Sequence, residues 1–159
     1  MALRGKIAVA VTDYHRRYTD KLLAGVRAGL GDGDPGFVLV EVEVFRAPGS
    51  FELPLLAKKL AASHAYAAVI CLGCIIRSDT PHFDYVAAEC SRGIMQAGLD
   101  TGVPVIFGVL TLDNEQQAID RTHDDETNRG FEAAKAALMM IKTLNAGSKD
   151  HFTGHGWDH

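Results

Sequence analysis

The sequence predicts an α/β fold, a parallel sheet of four strands with helices packed on both of its faces. Three observations lead there. Apolar residues switch repeatedly between strand and helix periodicity along the 159 residues. The runs at 7–11 and 67–76 are apolar almost throughout, as strands covered on both faces are. Helical stretches separate successive strands, which calls for right-handed β-α-β crossovers and therefore parallel pairing.

In chain order, residues 7–11 form a buried strand ending at Thr12 and Asp13. The stretch YTDKLLAGVRAGL puts Leu22, Val26 and Leu30 on one helical face, and GDGDPG breaks it. Residues 40–44 read Val-Glu-Val-Glu-Val, the alternation of a half-exposed strand. In LPLLAKKLAA, Leu53, Leu56, Ala57, Leu60 and Ala61 share helical spacing, and Pro54 fits the first turn. The strand at 67–76 follows, and Phe83, Val86, Ala87, Cys90 and Ile94 mark a third helix. VPVIFGVL is a fourth strand with its proline near the start. DNEQQAIDR is a short helix, and Phe131, Ala134, Leu138 and Ile141 line a final one. Wholly apolar strands belong in the centre and the alternating one at an edge. The order 2-1-3-4 satisfies both, giving a three-layer, flavodoxin-like α/β/α sandwich.

Apolar residues make up 47% and charged residues 23%, a globular composition at single-domain length. The expectation is one domain over 1–159, with an ordered core at about 6–145 and a mobile tail at 146–159 that lacks apolar periodicity. A formal net charge of −4 speaks against a generic nucleic-acid footprint. The apolar run near the N-terminus is too short for a signal peptide, and no run approaches the roughly 20 residues of a membrane helix. A soluble, cytoplasmic protein is expected.

The three cysteines do not suggest a disulfide framework. Cys71 and Cys74 form a Cys-x-x-Cys, but inside an apolar run rather than at a helix N-terminus, where the dipole would activate a thiol. Side chains three apart on a strand point to opposite faces. Small buried apolar residues is the reading that fits, and zinc spacing lacks its second Cys/His pair.

Ligands of open α/β sheets bind beyond the carboxyl ends of the strands. Those ends carry TDYH (12–15), APGSFE (47–52), RSDTPH (77–82) and TLDN (111–114). Asp79 and Thr80 precede a helix start, where free N–H groups favour an anion; either residue could instead cap the helix. His82 could move protons, since histidine titrates near neutrality, or could be a plain surface residue. Glu52 could accept hydrogen bonds from ligand hydroxyls or complement the helix dipole. Tyr14 could stack on a planar ring or cover the core. Arg121 and Arg129 flank THDDETN, and each has the planar fork that suits phosphate.

APGSFELP, LGCIIRSDTPHFDYVAAE, TGVPVIFGVLTLDNEQQAIDR and NRGFEAAKAAL, in this order, closely resemble the 6,7-dimethyl-8-ribityllumazine synthase family over about residues 6–145. The resemblance implies a transferase of riboflavin biosynthesis. It joins 5-amino-6-(D-ribitylamino)uracil to 3,4-dihydroxy-2-butanone 4-phosphate, releasing phosphate and water without metal or organic cofactor. It implies that Tyr14 stacks on the pyrimidine, in a Tyr-His segment where Phe-Asn is commoner. Ser50, Phe51 and Glu52 fall where the family binds the ribityl chain, and Ile75 and Ile76 where backbone groups meet the uracil. Asp79 and Thr80 fall on the phosphate-binding turn, and His82 on the proton-transfer histidine. Phe107, Arg121 and Arg129 match positions supplied by a neighbouring subunit. Arg121 matches the phosphate-binding arginine, and Arg129 stands where lysine is usual.

Two departures carry expectations. Asp79 puts a carboxylate where a small neutral residue is frequent, and is expected to point away from the phosphate or cap the helix. The loop RTHDDETNRG replaces the Gly/Ala/Lys-rich segment of sixty-subunit shells, which suggests a homopentamer or a decamer with active sites shared between adjacent subunits. Two rivals remain: a non-catalytic paralogue binding flavin or lumazine as carrier or sensor, and a redox protein using Cys71 and Cys74.

Overall fold

The computed structural model describes residues 3–148. Its elements run β1 (Leu3–Thr12), α1 (Arg16–Gly31), β2 (Phe37–Ala47), a short 3-10 turn (Ser50–Glu52), α2 (Leu53–Ala62), β3 (Ala68–Ile76), α3 (His82–Thr101), β4 (Val105–Leu112), α4 (Glu115–Asp120) and α5 (Arg129–Ser148). The four strands form one parallel sheet of order β2-β1-β3-β4, the expected topology. In register, Val9 lies between Val44 on one side and Ile70 on the other, and Cys71 faces Phe107.

Strand alternation divides the core in two. Ile7, Val9 and Val11 of β1, with Ile70, Leu72 and Cys74 of β3, pack under α1 and α5 against Leu22, Val26, Leu138 and Ile141. Ala8 and Ala10, with Val69 and Cys71, face Leu53 and Ala57 of α2 and Cys90 and Ile94 of α3. Each fully buried Leu or Ile contributes about 1.5–3 kcal/mol over the same side chain in water. Leu22, Leu53, Ile70, Leu72, Ile94 and Leu138 are of that kind, so both layers hold the sheet. The edge strand β2 keeps its acidic residues outward: Glu43 accepts hydrogen bonds from Tyr66 Oη and, at 3.3 Å, from Lys6 Nζ. These donors, Tyr66 first, hold the Glu43 carboxyl below its ordinary range.

Several elements outrun their sequence expectation. β1 and β2 extend past the apolar runs at 7–11 and 40–44, because parallel pairing from Leu3↔Phe37 to Thr12↔Ala47 satisfies backbone groups whatever the side chains. α5 begins at Arg129 rather than near Phe131 and continues to Ser148, into the segment expected to be a tail; 149–159 lie outside the described residues. Lys142 on α5 reaches Asp34 before β2 at 2.7 and 2.9 Å, which ties the helix to the sheet edge. None of the described helices is long and apolar enough to cross a membrane.

Candidate active site

The carboxyl ends of β1 and β2 are stitched together by the backbone, and that of β3 is joined to β4 by Arg77 N–H donating to Leu112 O at 2.7 Å. Asp13 N–H donates to Ala47 O at 2.8 Å and Tyr14 N–H to Pro48 O at 3.1 Å, so the segment after β1 lies beside the one after β2. Thr19 Oγ1 donates to Thr12 O at 2.8 Å and fixes the entry into α1. His15 closes that turn with φ 56° and ψ 41°, the left-handed region, which is uncommon outside glycine but which histidine enters more readily than most residues. Its ring meets Tyr14 edge-on, centroids 4.5 Å apart. Tyr14 itself is 67% exposed, so the phenol does not cover the core; its face is open to a ligand.

A cleft of about 550 Å³ opens here. Tyr14, Ser50, Phe51, Glu52, Ile75, Ile76 and His82 all line it. Its size falls in the range of small-molecule sites. Ser50 is buried, whereas Phe51 is 59% exposed, and both line the cleft. Ile75 and Ile76 end β3, and His82 is the first residue of α3. The chain folds locally this way because β3 stops being apolar at Arg77 and Pro81 sets the first turn of the helix, with Asp84 N–H donating to Pro81 O at 3.0 Å.

Asp79 and Thr80 stand differently from His82. Both are exposed on the turn before α3, and Ser78 rather than either of them lines the cleft. The capping alternative is corrected: the N-cap is Pro81 and no side chain caps α3, so neither Asp79 nor Thr80 takes a first-turn amide, and only that of Asp84 is turned inward, to Pro81 O. A proline at this place fixes the backbone without offering a side-chain acceptor.

Several residues of the site escaped the sequence reading. Phe83, Tyr85 and Val86 share the lining, beside His15 from the TDYH segment already expected there. Arg77 braces it from outside: its guanidinium donates to Asp113 Oδ1 and Asp84 Oδ1, both at 3.1 Å, and lies 4.3 Å over the Phe83 ring. It thus ties the start of α3 to the end of β4. In sequence Arg77 is one more cation among exposed polar residues; only the helical return of Asp84 and the pairing of β4 give it partners.

Phe107, Arg121 and Arg129 do not reach this cleft within one chain. They line a second hollow of about 390 Å³ on the outer side of β4, together with the first turns of α5. Phe107 is 44% exposed there. Arg121 Nη1 donates to Gln117 O at 3.1 Å, and Arg129 Nη1 to Glu132 Oε2 at 2.7 Å, so both guanidiniums keep further donors free for a ligand. α4 presents Arg121 rigidly. Asn114 Oδ1 caps it by accepting from Gln117 N–H at 3.0 Å, and Glu115 accepts from the Tyr18 hydroxyl of α1.

The cysteines divide between the two core layers, Cys71 with Cys90 on one face and Cys74 on the other. Burial pushes all three thiols upward: Cys71 most, Cys90 to about 12, and Cys74 to about 11 with help from the Glu115 charge. A thiolate is the reactive form, so this arrangement suits packing rather than redox exchange. In the native protein a thiol reagent at neutral pH is expected to label the cysteines only as the fold opens. Rapid labelling of Cys71 or Cys74 before unfolding would restore the redox reading.

Comparison with known proteins places the chain in a family. Residues 4–145 match the model of the family described as 6,7-dimethyl-8-ribityllumazine synthase. A 6,7-dimethyl-8-ribityllumazine synthase of Syntrophus aciditrophicus is 48% identical over 140 residues, covering 87% of this chain and 89% of that protein. One of Desulfotalea psychrophila is 47% identical over 146 residues, covering 89% and 90%. With a match across nearly the whole described sheet and near-half identity to both relatives, the chain belongs to the 6,7-dimethyl-8-ribityllumazine synthase family.

Proposed function

We propose that the chain catalyses the condensation of 5-amino-6-(D-ribitylamino)uracil with 3,4-dihydroxy-2-butanone 4-phosphate to 6,7-dimethyl-8-ribityllumazine. One observation carries the reading beyond family membership: Tyr14, Ser50, Phe51, Glu52, Ile75, Ile76 and His82, drawn from three strand ends, line one cleft. Tyr14 stacks on the pyrimidine, backbone groups at Ile75 and Ile76 meet the uracil edge, and Ser50, Phe51 and Glu52 hold the ribityl chain. The 5-amino group attacks the butanone carbonyl and water leaves. Elimination expels phosphate and leaves an enol at the former C3 hydroxyl, which tautomerises to a ketone; the ribitylamino nitrogen then captures this newly formed carbonyl to close the ring with loss of a second water. Holding two reactants together supplies most of the rate. His82 shuttles protons between amine, carbonyl and leaving groups. The uncapped amides of α3 beside Asp79 and Thr80 receive the phosphate.

Phe107, Arg121 and Arg129 complete the site from an adjacent subunit. Two features support this. The three residues sit together in a hollow apart from the cleft of their own chain. Tyr85, Met95 and Leu99 of α3 are exposed, on the side opposite Cys90, Ile94 and Ala97. Such a face on a small domain is suited to a partner. The acidic loop around Asp124, Asp125 and Glu126 would bring like charges together in a larger shell, so a homopentamer or a decamer in the cytoplasm is the assembly proposed.

The test mixes purified protein with both substrates and follows lumazine fluorescence, with particle mass measured in parallel. Turnover by a ring is the expected result. Tight flavin binding without product would favour a carrier or sensor instead.

A further inference from the structure

The loop between α4 and α5 is held shut by one buried amide. Asn128 is 1% exposed, and each end of its side chain is used. Nδ2 donates to Lys21 O on α1 at 3.1 Å and to His123 O within the loop at 3.0 Å; Oδ1 accepts from Gly130 N–H at 2.7 Å. A buried amide is tolerated only when so matched. The space around it is reserved by glycines. A Cβ at Gly25 on α1 would overlap the Asn128 amide, and one at Gly130 would overlap the Leu22 carbonyl. Just outside this lock, Arg129 N–H donates to Arg121 O at 2.9 Å. The two arginines are therefore joined by a backbone bond at the neck of the loop that Asn128 closes.

We propose that Asn128 is a positioning residue: by clamping the 121–129 loop to α1, it fixes the spacing of the Arg121 and Arg129 guanidiniums that meet the phosphorylated substrate. The inference rests on the reading that these arginines face phosphate. Elsewhere the loop has its own exposed turn, in which Asp125 Oδ1 accepts from Thr127 N–H at 2.8 Å. Asn128 N–H closes that turn by donating to Asp125 O at 3.1 Å, while the Asp125 side chain bonds to neither guanidinium among the described hydrogen bonds. Among the hydrogen bonds of the described residues, the one from Asn128 Nδ2 to Lys21 O ties the 121–129 loop itself to the α1 backbone. Freeing it would let both arginines drift, and misplacement by an ångström is costly where several groups must converge.

Inorganic phosphate, used as a competitive inhibitor against the phosphorylated ketone, is the probe. Wild type, Arg121→Ala, Asn128→Ala and the double variant are compared in the assembled enzyme, with KM for each substrate. Asn128→Ala is expected to raise the phosphate inhibition constant about tenfold or more. The KM for the ribitylaminouracil should stay within about twofold, because Tyr14 and Glu52 do not depend on this loop. The double variant should be little worse than Arg121→Ala alone, since both changes disable one unit. Asp125→Ala serves as a control expected to leave phosphate inhibition unchanged. If Asn128→Ala does not accumulate folded, Gly25→Ala strains the same lock from the α1 side and should give the same pattern. An Asn128 variant that melts earlier but keeps wild-type phosphate inhibition overturns the inference and leaves a purely structural amide. Phosphate inhibition untouched by Arg121→Ala would instead remove the phosphate reading itself, and the inference with it.

Discussion

Replacing His82 with alanine is expected to lower kcat about a hundredfold, the lower part of the range for a positioned proton-transfer group. The protein should remain folded and bind both substrates. The structure separates the two effects. His82 lines the cleft from the first turn of α3, where alanine is a good helix former. The start of that helix is held by other groups: Arg77 through Asp84 and Asp113, and its stacking on Phe83. None of the hydrogen bonds among the described residues on which this corner depends runs through the His82 ring. His82→Gln distinguishes proton transfer from simple hydrogen bonding, because the amide keeps a donor near the ring position and cannot exchange a proton at neutral pH. Glutamine is expected to be nearly as slow as alanine. Full activity in either variant would take the catalytic role away from His82.

What the sequence made legible follows from where the signals are local. Strand and helix periods exposed the topology, since Ile7, Val9 and Val11 against Ala8 and Ala10 already separate the two core layers. The cleft followed because the polar breaks TDYH, APGSFE and RSDTPH fall at strand ends that the topology brings to one edge. Non-local contacts were hidden. Arg77 and Asn128 are ordinary polar residues in loops until Asp113, Lys21 and Gly130 arrive from elsewhere in the chain. Asp79 looked like a cap from composition alone, but the backbone direction set by Pro81 decides the N-cap. The left-handed turn at His15 has no signature in a histidine, as it would have had in a glycine.

Mixing two crippled variants is expected to restore activity that neither has alone. His82→Ala spoils the cleft of its own chain and leaves that chain's Arg121 intact; Arg121→Ala does the reverse. In a ring whose interfaces run head to tail, an Arg121→Ala subunit has a sound cleft, and a His82→Ala neighbour offers it a sound arginine. Random co-assembly of equal amounts would rebuild about a quarter of the sites, provided the order of contact is the same around the ring. The comparison is made after dissociating and reassembling the mixture, against each variant treated alike, at ketone concentrations below KM where the Arg121 defect shows fully. The physical basis is the distribution of residues in one chain. The cleft carries Tyr14, Glu52 and His82, while Phe107, Arg121 and Arg129 stand in a separate hollow on β4 and α5. A site complete within one subunit predicts something different: each chain would carry its own lesion wherever it sat, and no mixture would exceed the mean of its parts. Recovery well above that mean requires two chains at each site, and its absence after verified co-assembly would place the phosphate contacts within a single protomer.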